Sequence, residues 1–229
     1  MSDSDNSLRT SKVKKKKMTL RIQGNIIGPL LLSTMMLILP SPFTTISLPP
    51  PLPGAVEDPY ICDGWRANII GTSGDDILFG TVDDDIIVGL EGNDTIQGLD
   101  GSDFICGDDG NDFMDGGAGN DRMFGGFGND ELQGNTGYDF MDGKADNDIM
   151  SGGPDDDRMF GGAGNDQMGG DDNNDIITGQ GGDDGMNGGA GNDLLRGVDE
   201  VVDNDNLDGG PDIDECERDP DPMINCELF

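Results

Sequence analysis

The sequence predicts an all-β chain built by stacking short strand-and-loop units, and three observations predict it. From Gly71 the chain can be cut every nine residues into fourteen unbroken units that end at Arg196. Position one of every unit is Gly and position six is Asp, and compositional bias alone does not hold phase in this way. Position eight is Leu, Ile or Met throughout, so each unit offers one apolar side chain to a core.

Each position has a physical reading. A Gly-rich stretch of about six residues reads as a loop, and it leads into a strand of about three residues whose alternation turns only position eight inward. Position four is Gly in ten units and Asp or Asn in the others (Asp83, Asp146, Asp155, Asn173, Asp203 and Asp212). These residue types best tolerate a left-handed backbone, so position four reads as a turn. The position-eight methionines (Met114, Met123, Met141, Met150, Met159, Met168 and Met186) occupy a slot filled elsewhere by Ile or Leu, which makes them core packing and not a copper-binding string. A fifteenth unit begins at Gly197 with about three inserted residues (Glu200, Val201, Val202), and a sixteenth runs from Gly209 to Glu217.

Charge and missing residue types exclude several functions. The net charge is −34, with 42 acidic residues against five basic ones from Gly71 onward. Such a surface repels a phosphate backbone and attracts cations, which argues against nucleic-acid binding. There is no histidine, so HExxH zinc proteases, Ser-His-Asp triads, Cys-His dyads and imidazole metal sites are all excluded. No nucleophile has a base beside it, and the chain reads as a non-enzyme. Carboxylate and carbonyl oxygens are hard ligands, and without imidazole they favour Ca²⁺ over zinc or copper.

Residues 1–47 hold a basic block (Lys14 to Lys17, Arg21) and an apolar run from Ile26 to Leu39. The run is shorter than the roughly 20 residues of a spanning helix and reads as a secretory signal. No charge lies between Arg21 and Glu57, so an uncleaved membrane anchor is the alternative. Residues 48–60, containing LPPPLP, read as an extended linker. Residues 61–70, with Trp65, Ile69 and Ile70, read as an N-terminal cap. Residues 218–229, with Met223, Ile224, Leu228 and Phe229, read as the C-terminal cap.

Units such as GGAGNDRMF (116–124) and GGAGNDQMG (161–169) resemble the G-G-x-G-x-D-x-U-x nonapeptide of the RTX (repeats-in-toxin, hemolysin-type) calcium-binding family, over residues 71–217. The resemblance implies a right-handed parallel β-roll, two nonapeptides per turn and about eight turns, with calcium held between loops of successive turns. The ligands it implies are loop carbonyls and the position-six carboxylates. These are Asp76, Asp85, Asp94, Asp103, Asp112, Asp121, Asp130, Asp139, Asp148, Asp157, Asp166, Asp175, Asp184 and Asp193, with Asp205 and Asp214 from the irregular units. Sites between unit n and unit n + 2 number at most about 14.

With two units per turn, even and odd units form separate faces. The even face would present Phe104, Arg122, Phe140 and Arg158 in one column and Phe124 and Phe160 in the next, a pattern that suits a self-stabilising outer ladder or a lateral interface with another rod or a cell surface. The odd face is more polar. Cys216 with Cys226 would close a short loop, and Cys62 would reach outward-facing Cys106. The function expected is that of a secreted, extracellular calcium-binding protein with a structural, cell-surface or adhesive role. The alternatives are a non-catalytic accessory or remnant of an RTX toxin or hydrolase, and an extracellular calcium buffer.

Overall fold

A computed structural model describes residues 60–197, 205–217, 223–224 and 226. The expected signal or anchor (1–47), nearly all of the Pro-rich linker, and Leu228 and Phe229 of the expected C-terminal cap lie outside the described residues.

Alternate units fall into two nine-stranded parallel sheets. The even-unit sheet runs through Ile69–Ile70, Ile86–Glu91, Phe104–Asp109, Arg122–Phe127, Phe140–Ala145, Arg158–Ala163, Ile176–Gly181, Leu194–Arg196 and Glu215–Cys216. The odd-unit sheet runs through Ile77–Phe79, Thr95–Asp100, Phe113–Ala118, Glu131–Thr136, Ile149–Pro154, Gln167–Asp172, Gly185–Ala190, Asn206–Asp208 and Met223–Ile224. Neighbouring strands are one turn apart, so Met123 aligns with Met141 and Met141 with Met159. The result is a parallel β-solenoid of about eight turns.

Position eight fills the space between the sheets. Ile87, Ile96, Ile105, Met114, Met123, Leu132 and Met141 are fully excluded from solvent, and the same column continues to Cys216. The core is one side chain per unit, as the spacing predicts.

Strand length differs from the prediction. Most strands have six residues rather than three, covering positions seven to nine and then one to three of the next unit. The ladder continues because position two, which the sequence left unread, also adopts a positive φ. It turns the corner while pairing is kept, even at Leu90 (φ 84°), Leu99 (φ 81°) and Lys144 (φ 81°). A left-handed non-Gly residue costs roughly 1–2 kcal/mol, so the stacked ladder outweighs local strain at these corners.

The irregular fifteenth unit leaves the register intact. Gly185 to Asn187 pair with Asn206 to Asp208, and Leu194 and Leu195 pair with Glu215 and Cys216. The separation rises from 18 to 21 residues, which equals the three inserted residues.

The N-terminal residues do two things. Ile69–Ile70 add to the even-unit sheet as its first strand, paired with Ile87 and Val88. Ahead of them, Ile61–Cys62 and Trp65–Arg66 form an antiparallel hairpin across Asp63 (φ 45°) and Gly64 (φ 85°), the two left-handed residues that a tight hairpin turn requires. Cys62 is bonded to Cys106, with Cα atoms 5.7 Å apart, and a small second core forms from Cys62, Ala67, Val88 and Cys106. Trp65, expected over the end of the stack, instead lies on the even-unit face with its ring 6.3 Å from that of Phe104. The disulfide sets this position, because Cys106 faces outward from the sheet at position nine. Cys216 is bonded to Cys226 at the other end.

Candidate metal centre

The loops between strands stack in two columns, and position six lines each of them. Fifteen of the sixteen predicted aspartates, Asp85 to Asp214, are buried at 3 % exposure or less, while Asp76 in the first unit is half-buried. One column holds Asp85, Asp103, Asp121, Asp139, Asp157, Asp175, Asp193 and Asp214. The other holds Asp76, Asp94, Asp112, Asp130, Asp148, Asp166, Asp184 and Asp205.

From Asp94 onward each carboxylate is half satisfied by the turn before it. The backbone N–H of Asp121 donates to Oδ1 of Asp139 at 2.8 Å, that of Asp139 to Oδ1 of Asp157 at 2.8 Å, and the pattern holds along both columns. The second oxygen differs. In twelve aspartates, Asp94 to Asp175 and again Asp193 and Asp214, Oδ2 is buried with no hydrogen-bond partner. A buried carboxylate oxygen without a donor is costly, and native proteins leave few of them.

The N-terminal end of the stack supplies a contrast. In the first two units the backbone N–H of Thr72 reaches Oδ2 of Asp76, and that of Thr81 reaches Oδ2 of Asp85, each at 2.6 Å. Asn68 adds a 2.6 Å bond to Oδ1 of Asp85. Burial pushes the Asp85 carboxyl up, but the bonds from Asn68 and Thr81 outweigh it and hold the group below the ordinary carboxylate range. Deeper in the stack a single backbone N–H offsets only part of the burial. Desolvation raises Asp103, Asp112 and Asp121 to about 6, Asp130, Asp139 and Asp157 to about 7, and Asp148 and Asp175 to about 8, with neighbouring aspartates adding repulsion. The rows therefore present buried negative charge in want of a cation.

Position one explains its own invariance here. A Cβ on Gly143 would collide with Oδ2 of Asp148 and the carbonyl oxygen of Gly161, and the same pair of collisions recurs at Gly107, Gly125 and Gly134. Only a hydrogen leaves room at the free carboxylate oxygen. At position four, the space of a Cβ on Gly119 is filled by the carbonyl oxygen of Gly101, so loop carbonyls stack beside the carboxylates.

A second row went unread in the sequence. Position-five side chains accept backbone N–H groups one turn later: Asn93 from Asn111 at 2.9 Å, Asn111 from Asn129 at 2.7 Å, Asn129 from Asn147 at 3.1 Å. This ladder ties the loops together outside the aspartates. Its signal is the recurrent Asn before the position-six Asp.

A family pattern, the RTX calcium-binding nonapeptide repeat in four copies, matches six overlapping windows that together span residues 70–195, more than half of the chain. The chain belongs to this family. No curated protein matches it. RTX repeats bind calcium, and the donor set fits that ion: hard oxygens, no imidazole, and buried oxygens lacking a partner. No three side-chain ligands converge on one point among the described residues. Calcium takes six to eight oxygens, more than carboxylates supplied one per turn provide, so loop carbonyls or waters would complete each shell.

Proposed function

We propose that this chain is an exported protein whose roll forms on binding several calcium ions, held by the position-six aspartates and neighbouring loop carbonyls, and that the folded roll serves as a structural, cell-surface or adhesive module without catalytic activity. The observation that carries the reading is the buried file of Oδ2 atoms, each excluded from water, each without a donor, and each one turn from the next. Calcium would supply the charge that the protein itself withholds there, and residues Asp94 to Asp214 would hold it. Stacking makes the sites interdependent, because each carboxylate also accepts the N–H of the preceding turn.

Export is supported by the two disulfides, which persist in oxidising compartments, together with the basic and apolar pattern of residues 1–47. Native mass spectrometry of the protein from its own source tests the proposal in one step. The expected result is a mature N-terminus within or just beyond that segment, two disulfides and several calcium ions per chain. An intact N-terminus with reduced cysteines and no calcium would refute it.

A further inference from the structure

The even-unit face is unlike the rest of the surface. All five Lys and Arg residues among the described residues (Arg66, Arg122, Lys144, Arg158, Arg196) lie on its strands or on the hairpin that covers it, and the odd-unit strands carry none. The aromatic side chains form a continuous run on the same face. Phe124 and Phe140 have ring centroids 5.7 Å apart, and Phe140 and Phe160 are 5.6 Å apart.

The chain itself covers the first part of this face, and the manner of covering is informative. Trp65 of the hairpin lies against Phe104, while Asp63 pairs with Arg122 at 3.4 Å. Arg122 stands between Phe104 and Phe140, its guanidinium carbon 5.5 Å and 5.1 Å from their ring centres. An aromatic ring and a carboxylate, two residues apart on a β-hairpin, thus occupy a phenylalanine–arginine ladder.

The ladder does not stop where the hairpin stops. Phe140 is followed by Arg158, which stacks 4.8 Å from the ring of Phe160 and is exposed. Arg196 pairs with Glu217 and Arg122 with Asp63, but Arg158 makes no ion pair among the described residues. Arg158 and Phe160, with Phe140 on the neighbouring strand, offer a cation beside rings like those that Asp63 and Trp65 meet two strands earlier, without the partner.

We propose that the uncovered part of the even-unit face, centred on Arg158 beside Phe140 and Phe160, docks a polypeptide segment that carries a carboxylate beside an aromatic ring. The proposal rests on the calcium-dependent roll, since the face exists only when the strands are stacked. A stacked guanidinium is partly desolvated and prefers a carboxylate that approaches in the plane of the fork, while the flanking rings take an aromatic side chain. Charge selects this face. Elsewhere the surface of the described residues is strongly acidic, so a cationic partner has no reason to choose the even side, whereas a carboxylate finds its cations, among the described residues, only there.

The test uses the full chain in saturating calcium and, as probe, a labelled peptide with the sequence of residues 59–67 and serine in place of its cysteine. Fluorescence anisotropy is expected to show saturable binding. Arg158→Glu or Phe160→Ser in the protein, and Asp63→Asn or Trp65→Ala in the peptide, should each weaken it at least tenfold, while Thr95→Glu on the odd-unit sheet leaves it unchanged. Absence of binding overturns the proposal, as does an identical curve with Arg158→Glu. Binding of a uronic-acid oligosaccharide, but not of the peptide, overturns it in favour of a carbohydrate. Circular dichroism on the same samples separates the two readings: a chain without strand signal in calcium fails the calcium proposal, not the docking one. The peptide-side changes decide the matter even where a protein variant does not fold.

Discussion

In a calcium chelator, lowering the pH from about 8 to about 4 should restore strand structure to a chain expected to lack it at neutral pH. The sign follows from the buried aspartates. An unfolded Asp titrates near 3.9, whereas Asp103 to Asp175 in the ion-free roll titrate mostly between about 6 and about 8 because burial opposes the charged form. Across that window the folded chain binds more protons than the unfolded one, so stability falls as pH rises and returns as pH falls. Asp85 runs the other way, since its carboxylate has Asn68 and Thr81 as donors, but it is one group against a file of them. Protons and calcium both favour the folded chain over the unfolded one in this window, so the calcium midpoint for folding should rise as pH rises from about 5 to about 8. Far-UV circular dichroism against pH, with and without calcium, checks both. A chelated chain that gains no strand signal in acid would show that buried charge is not what opposes the ion-free fold.

Replacing Gly143 by Ala should cost about 3 kcal/mol of stability in calcium, the upper end for overpacking. The added methyl would lie on Oδ2 of Asp148 and on the backbone carbonyl of Gly161. Neither can move away cheaply, because Asp148 Oδ1 is tied to the N–H of Asp130 and Gly161 lies within a paired strand. Gly169→Ala is the control. It lies in the same stack, but nothing stands within 4 Å of its would-be Cβ. Thermal and calcium midpoints of the two variants should separate clearly, with Gly169→Ala at the wild-type value. Equal midpoints would mean that position one is Gly for a reason other than room at the carboxylate.

Much of this architecture is legible in the sequence because the solenoid repeats one local rule. A strict period, one apolar position and one acidic position were enough for the core column from Ile87 to Leu207, the two Asp columns and the face assignment of Phe104, Arg122, Phe140 and Arg158. Both cysteine pairings follow once Cys106 is known to face outward. What escaped did so for physical reasons. The left-handed position two carries Gly, Leu, Asp, Asn, Lys or Gln, so its φ is hidden: cooperative pairing tolerates the strain that a lone turn would not. The position-five ladder was visible as recurrent Asn, yet its role depends on a neighbour eighteen residues away and not on local propensity. Trp65 could not be placed by apolarity alone. The Asp63-Gly64 turn and the tie from Cys62 to Cys106 decide which surface it meets.

If buried aspartate oxygens make the roll depend on calcium, far-UV circular dichroism during a calcium titration of the full, disulfide-bonded chain at neutral pH will register it. The expected result is little strand signal in chelator and a steep, cooperative rise as calcium is added, reversed by chelation. A strand signal already complete in chelator and unmoved by calcium would show that the roll stands without the ion.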